Sequence, residues 1–150
     1  MYCSSTLVDY RHTWFYVSMV NKIDHIGIAV NSLEEAIPAF SALLGSNISG
    51  EEEVPGEAVR VAFFGTGPGR IELLEPTGPD SPVARFLERR GPGVHHICLA
   101  VPDLDAALER CEAQGMIVLE PRIREGAGDH RVAFLHPKTT SGTLVELAEE

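Results

Sequence analysis

The chain has 150 residues, 44% of them hydrophobic, and a formal net charge of −10 from 12 Lys and Arg against 22 Asp and Glu. This length suits one globular domain, and the composition excludes a disordered or collagen-like chain. No apolar run approaches the roughly 20 residues that a membrane-spanning helix needs. Because the chain is strongly acidic, we do not expect it to bind nucleic acid or an anionic membrane surface.

Residues 1–20 differ in composition from the rest, because they hold five of the ten aromatic residues. They lack the basic start and the apolar core of a signal peptide, so we expect a flexible extension before a single domain at 21–150. Cys3, Cys98 and Cys111 do not have zinc-type spacing, and their odd number argues against a disulfide scaffold. A reducing compartment, the cytoplasm, is therefore expected.

The first half of the domain predicts a strand, a helix and three further strands. Ser32 or Asn31 can cap the helix, and Gly45 can end it. Alternation between apolar and small or polar residues indicates the strands. The predicted elements are a strand at 24–30, a helix at about 33–44, and strands near 49–54, 59–64 and 70–75.

The second half repeats the first at an offset of 71 positions, so that Ile23-Asp24-His25-Ile26 matches Val94-His95-His96-Ile97. A linking helix at about 81–90 begins near Asp80 or Ser81, with Pro82 at its first turn. The second copy predicts a strand at 94–101, a helix at about 104–114 after Asp103, and strands near 117–120, 131–135 and 143–148. We therefore predict an α+β fold of two tandem βαβββ modules, at about 22–76 and 93–149, which form a curved mixed sheet around a cleft.

The repeat places four polar residues at equivalent positions, namely His25, Glu72, His96 and Glu146. Strand alternation assigns all four to one face, and His95 to the opposite face. A single His or Glu on a strand is usually structural or solvated. Two imidazoles and two carboxylates in one cleft would instead be satisfied by a divalent cation, with Co²⁺, Mn²⁺, Ni²⁺ and Zn²⁺ as the candidates.

These motifs resemble the vicinal oxygen chelate superfamily, which includes the glyoxalase and bleomycin resistance proteins. Within it, the Asp-Ser-Pro helix start at 80–82 and the Leu-His-Pro-Lys turn at 135–138 are similar to those of methylmalonyl-CoA epimerases. The resemblance implies a glyoxalase-like fold and interconversion of (R)- and (S)-methylmalonyl-CoA through an enolate. It also implies an acyl-CoA substrate, a bound divalent metal, with Co²⁺ first, and a homodimer.

By the same resemblance, Glu146 is both a metal ligand and the general base on one face of the substrate. Val61 lies where some epimerases carry a Glu, so the second acid/base stays open between a metal-bound water and a glutamate of the acidic run, which comprises Glu51, Glu52, Glu53 and Glu57. Some epimerases have Gln at the position of Glu72. Lys138 and His136 are candidates for contact with the substrate.

Two other functions are compatible with the same four residues. A glyoxalase I-type lyase would use them on a glutathione hemithioacetal, but such enzymes usually have an Asp-Pro-Asp-Gly turn where this chain has His136-Pro137-Lys138-Thr139. A non-catalytic binder of small molecules would often have lost some of the metal ligands. Both alternatives are therefore less well supported than the epimerase.

Overall fold

The computed structural model describes residues 19–150. Almost all of the expected extension at 1–20 therefore lies outside the described residues. The elements in chain order are β1 (Lys22–Ala29), α1 (Leu33–Leu44), β2 (Gly50–Val54), β3 (Val59–Phe64), β4 (Arg70–Pro76), α2 (Pro82–Arg90), β5 (Gly93–Val101), α3 (Leu104–Ala113), β6 (Arg124–Glu125), β7 (Arg131–Leu135) and β8 (Val145–Glu149). Within that range no helix is long and apolar enough to cross a bilayer.

All eight strands form one mixed sheet in the order β2-β3-β4-β1-β5-β8-β7-β6. In each half, the first strand pairs in parallel with the last, β1 with β4 and β5 with β8, while the other neighbours are antiparallel. The antiparallel pair β1 and β5 joins the halves at the centre. The predicted α+β fold, a curved mixed sheet built by duplication, is confirmed.

Local sequence signals define the ends of the helices. The Ser32 hydroxyl accepts a hydrogen bond from the backbone N–H of Glu35, and the Asp103 carboxylate does the same for Ala106. Gly45 ends α1 in the left-handed conformation, with φ of 66°. Each cap satisfies backbone groups that a helix end would otherwise leave unpaired. The predicted helix boundaries agree with the structure to within one residue.

The core consists of three apolar clusters that hold the helices against the sheet. The face of β1 that bears Ile28 packs with Leu33 of α1, which is fully buried. In the second half, Leu104 and Leu108 of α3 pack against β7 and β8. The third cluster lies where Val83 of α2 meets the first-half strands. Helices α1 and α3 cover one face of the sheet, whereas the third cluster lies on the opposite face, where its residues Val61, Leu74 and Val83 also line the cleft.

One strand prediction in the second half is wrong in position. The segment near 117–120 forms only an isolated bridge, between Val118 and Leu135, and the sixth strand is the two-residue β6 at Arg124–Glu125. A cis peptide bond precedes Pro121 between these segments. Strand β8 covers most of the predicted 143–148 and begins two residues later, at Val145. A 3₁₀ turn at Pro137–Thr139 precedes it.

Candidate active site

Two rows of residues cross the middle of the sheet and build the site. In one row, Glu72 of β4, Gly27 of β1 and His96 of β5 lie side by side. In the other row, Glu146 of β8 lies beside Cys98 of β5, which faces His25 of β1. The rows are equivalent under the repeat, so each contains one Glu, one small residue and one His. This register is the reason that His and Glu residues 24 to 121 positions apart share one cleft.

Three of the four predicted ligands converge closely. The Nε2 atoms of His25 and His96 are 3.0 Å apart, and Oε2 of Glu146 lies 3.3 Å and 2.8 Å from them, respectively. All three side chains are buried. Donor atoms that meet in this way form a group that fits a metal ion.

Glu72 enters the site from the other side of His25. Its Oε1 atom lies 3.3 Å from Nδ1 of His25, and the side chain is buried. Arg70 donates from Nη2 to Glu72 at 3.2 Å and to Asp24 at 2.7 Å. Glu72 thus lines the same cavity, but it contacts Nδ1 of His25 and lies outside the group that His96 and Glu146 form at Nε2. Arg70 offsets its charge.

Cys98 is a less suitable ligand than these residues. It forms a second group with Asp24 and His25 that is compact enough for a metal. Burial, followed by the neighbouring carboxylates, raises the pKa of its thiol, so the thiol remains protonated. A thiolate is the form that binds metals, so the nitrogen and oxygen donors around His96 form the better site.

The electrostatics of the cleft favour charged forms that attract one another. Burial alone would lower the pKa of His25, but the carboxylates of Glu146 and Glu72 outweigh it and raise this pKa to about 9. Burial would raise the pKa of Glu146, but hydrogen bonds from both imidazoles lower it to about 2. Burial raises the pKa of Glu72. Glu146 is therefore an anion at neutral pH, and His25 carries a proton that a metal would displace.

The cluster opens into a cavity of about 90 Å³ between the two halves. Val61, which is buried, contributes to an apolar wall, so the position at which some epimerases carry a Glu offers no acid or base. Phe134 packs edge-on against His96 with ring centroids 5.8 Å apart. An apolar wall beside convergent polar groups is typical of a small-molecule site.

The prediction that His95 faces away from the site is wrong. His95 lines the same cavity, and its Nδ1 atom is 2.9 Å from Nδ1 of His96. A β-bulge is the cause: Gly27 pairs with His96 and Ile28 with Val94, which leaves His95 without a partner on β1. Burial, followed by repulsion from His96, lowers the pKa of His95 to about 4, so its imidazole is neutral.

The members of the acidic run have different positions. Only Glu57 of the four lines the central cavity, where Arg124 binds its carboxylate at 3.2 Å and 3.3 Å. Glu52 accepts a hydrogen bond from the backbone of Gly128, and Glu51 pairs with Arg60. The contacts of Arg124 and Gly128 join the second half to the first across the mouth of the cleft, which no local pattern in the sequence indicates.

Lys138 and His136 lie outside this cavity. His136 precedes a 3₁₀ turn at Pro137–Thr139, and its Nδ1 atom accepts a hydrogen bond from the backbone of Lys138, whose side chain is exposed. His136 also lines a groove of about 470 Å³ that includes three arginines of α2. The groove and the cavity share Pro82, His95 and His96, so they adjoin at the candidate metal site. The arginines are Arg85, Arg89 and Arg90.

This arrangement suits the stabilisation of an anion next to an acid–base group. A divalent cation held by neutral imidazoles and carboxylates is a Lewis acid, and Glu146 is an ionised carboxylate at the same point. An apolar wall makes the surroundings of both groups less polar and so strengthens both effects. The donor set and the cavity therefore fit a Lewis-acid centre beside a carboxylate base.

Comparison with known proteins agrees with this architecture. Residues 24–134 match the model of the glyoxalase/bleomycin resistance protein/dioxygenase superfamily. The ethylmalonyl-CoA/methylmalonyl-CoA epimerase of Cereibacter sphaeroides is 41% identical over 87% of this chain and 99% of its own. The crystal structure of methylmalonyl-CoA epimerase from Mycobacterium tuberculosis superposes with a TM-score of 0.83 at 35% identity, over 93% of both chains.

A further solved structure shows such an enzyme with its ligand. It is a methylmalonyl-CoA epimerase in complex with methylmalonyl-CoA and NH4+, which superposes with a TM-score of 0.82 at 35% identity, over 89% of this chain and 96% of that one. The similarity extends through both halves of the sheet and the cleft between them. This chain therefore belongs to the glyoxalase/bleomycin resistance protein/dioxygenase superfamily and, within it, to the methylmalonyl-CoA epimerase family of enzymes.

Proposed function

We propose that this protein interconverts (R)- and (S)-methylmalonyl-CoA by removing and returning the proton on the carbon between the thioester and the carboxylate. The observation that carries the proposal is the convergence of His25, His96 and Glu146 on one point of a cavity with an apolar wall. The epimerase relatives, one of them solved with methylmalonyl-CoA, support this substrate class. The reaction needs no redox step and no covalent intermediate.

The ligands proposed for the metal are His25, Glu72, His96 and Glu146. When bound there, a divalent cation supplies Lewis-acid stabilisation of the negative charge that develops on the substrate. Nitrogen and oxygen donors without a thiolate favour Co²⁺, Mn²⁺, Ni²⁺ or Zn²⁺, and we propose Co²⁺ first. His25 must lose its proton to bind, so the metal and this proton compete for the same nitrogen.

Glu146 is the proposed base on one face of the substrate. Hydrogen bonds from the two imidazoles keep it ionised at neutral pH, so it can accept a proton without first losing one. The enolate is planar, so inversion of configuration requires a second acid–base group that returns the proton on the opposite face. Of the acidic run, Glu57 is the candidate for this role, because it alone among the four lines the cavity.

We propose that the coenzyme A moiety extends from the cavity into the arginine groove. The cavity and the groove meet at His95 and His96, so a substrate with its acyl group in the cavity can place its coenzyme A moiety in the groove. Arg85 and Arg89 offer cations for phosphates in this acidic protein. His136 lies on the wall of the groove and Lys138 on the adjacent turn, where both are proposed to contact the substrate. Replacement of Arg85 by Ala is expected to raise KM more than it lowers kcat.

A homodimer in the cytoplasm is proposed for the intact protein. Leu43 and Leu44 at the end of α1 are 76% and 44% exposed, and apolar side chains of this size gain stability when a second copy covers them. Cys98 and Cys111 are free thiols, as is usual in a reducing compartment. Light scattering coupled to size-exclusion chromatography would report the oligomeric state, and a monomeric mass would contradict the dimer.

An isotope experiment tests the function directly. One epimer of methylmalonyl-CoA is incubated with cobalt-loaded protein in deuterated water, and deuterium at the α-carbon is followed together with the formation of the other epimer. Both are expected. If neither occurs while a glutathione hemithioacetal is turned over, the protein is a glyoxalase-type lyase, and binding of the acyl-CoA without exchange would identify a non-catalytic binder.

A further inference from the structure

The residue that precedes each of the two histidine ligands occupies a bulge. Asp24 has no partner on β5, because Ile23 pairs with Leu99 and His25 with Cys98. His95 has no partner on β1, because Gly27 pairs with His96 and Ile28 with Val94. Asp24 and His95 are equivalent under the repeat, so the duplication has kept a bulge at the same place in both halves. Bulges beside a site commonly redirect a side chain.

Both redirected side chains contact the outer nitrogen of the histidine that follows. Oδ2 of Asp24 is 2.8 Å from Nδ1 of His25, and Nδ1 of His95 is 2.9 Å from Nδ1 of His96. The Nε2 atoms of His25 and His96 point instead at each other and at Glu146. Each ligand ring is therefore held on its outer side by the residue before it.

We infer that His95 is a positioning residue, whose Nδ1 atom accepts a hydrogen bond from Nδ1–H of His96 and so leaves Nε2 of His96 free to bind the metal. A neutral imidazole has one N–H and one lone pair, so an acceptor at Nδ1 determines which nitrogen is the ligand. Asp24 performs the same task for His25 with a carboxylate. The inference rests on the proposed metal site and adds a residue that lies outside its ligand set.

His95 also has a packing role, which must be separated from the hydrogen bond. Its ring packs edge-on against Phe86 of α2, with centroids 5.1 Å apart. His95→Phe keeps an aromatic ring against Phe86 but removes the acceptor. His95→Asn removes the ring but keeps an acceptor oxygen at the position of Nδ1. His95→Phe therefore tests the hydrogen bond, and His95→Asn tests the packing against Phe86.

Metal affinity is the primary measurement, by isothermal titration of Co²⁺ or Zn²⁺ into the metal-free protein. His95→Phe is expected to weaken binding by about 10- to 100-fold, whereas His95→Asn should bind nearly as tightly as the wild type. In thermal unfolding of the metal-free proteins, His95→Asn should have a lower melting temperature than His95→Phe, because Asn loses the contact with Phe86. A purely structural role predicts that the Asn variant is the weaker binder.

The tautomer of His96 is a second readout, obtained from ¹H–¹⁵N correlations of its ring in the zinc-loaded protein. The proton is expected on Nδ1 in the wild type and in His95→Asn. Undiminished affinity of His95→Phe, or an equal loss in both variants, would overturn the role of His95 while leaving the metal site intact. Absence of metal binding by the wild type would overturn the proposed site, and this role with it.

Discussion

The ring of His96 occupies the space in which a side chain at Gly27 would lie. A Cβ atom added to Gly27 would be 2.3 Å from Cε1 of His96 and 2.7 Å from its Nδ1. Gly27 and His96 are direct partners across β1 and β5. Glycine is therefore needed here for space rather than for an unusual backbone conformation, because it lets the His96 imidazole lie over the neighbouring strand.

Gly27→Ala should consequently displace His96 and weaken metal binding. Both rings are held by short contacts, so even a methyl group forces the imidazole out of reach of Glu146. We expect loss of stoichiometric Co²⁺ retention after dialysis, measured by elemental analysis. Gly93→Ala is the matched control, because nothing lies within 4 Å of a Cβ at that β5 position. Full retention in the Gly27 variant would contradict the placement of His96 at the metal.

Glu146 and Glu72 can be distinguished by the same change of carboxylate to amide. Glu146→Gln and Glu72→Gln each keep an oxygen for the metal, but only the former removes the proposed base. Deuterium exchange at the α-carbon should fall by roughly 10²- to 10⁴-fold in Glu146→Gln. Glu72→Gln should retain clear exchange, because the amide still offers an oxygen to the metal. Equal losses in metal-loaded variants would show that Glu146 acts only as a ligand.

Glu57 can be tested through the stereochemistry of exchange. If Glu57 serves the second face, Glu57→Gln leaves Glu146 able to remove and return the proton on its own face. Deuterium should then enter one epimer with retained configuration, while conversion to the other epimer, followed by chiral chromatography, is lost. Glu51→Gln, which alters an exposed glutamate paired with Arg60, is the control. Unchanged epimerisation by the Glu57 variant would assign the second face to another group.

Metal affinity should depend on pH through His25. Its pKa of about 9 in the metal-free protein means that a proton occupies the imidazole at neutral pH, and binding must release it. The logarithm of the association constant should therefore rise with a slope of about one per pH unit up to about pH 9. Glu146, with a pKa of about 2, adds no slope in this range. Calorimetric titrations of the metal in buffers of different ionisation enthalpy measure the number of protons released. A pH-independent affinity would contradict the release of a proton from His25.

The same raised pKa governs the stability of the metal-free protein. A group that is more basic in the folded than in the unfolded state stabilises the fold at low pH, and this contribution is lost as pH rises through the folded pKa. Between pH 6.5, the ordinary pKa of His, and about 9, the melting temperature should fall. Saturating metal should reduce this dependence, because it replaces the proton of His25.

The internal repeat of the sequence predicted much of the site. The equivalence of His25 with His96, and of Glu72 with Glu146, combined with strand alternation, predicted one polar face, and the structure places all four side chains in one cavity. The signal that could have revealed Asp24 and His95 was also present. Each is a polar residue directly before a polar His, where strict alternation would put an apolar one.

What the sequence alone determined is what depends on neighbours along the chain: the helices with their caps, the alternating faces of the strands and the twofold repeat. The tertiary structure decided the bulges at Asp24 and His95, the short pairing of β6 and the contact of Arg124 with Glu57 across the cleft. A bulge is a mismatch between two strands, and a contact across the cleft joins distant segments. Both depend on a partner that is distant in sequence, so a local pattern does not encode them.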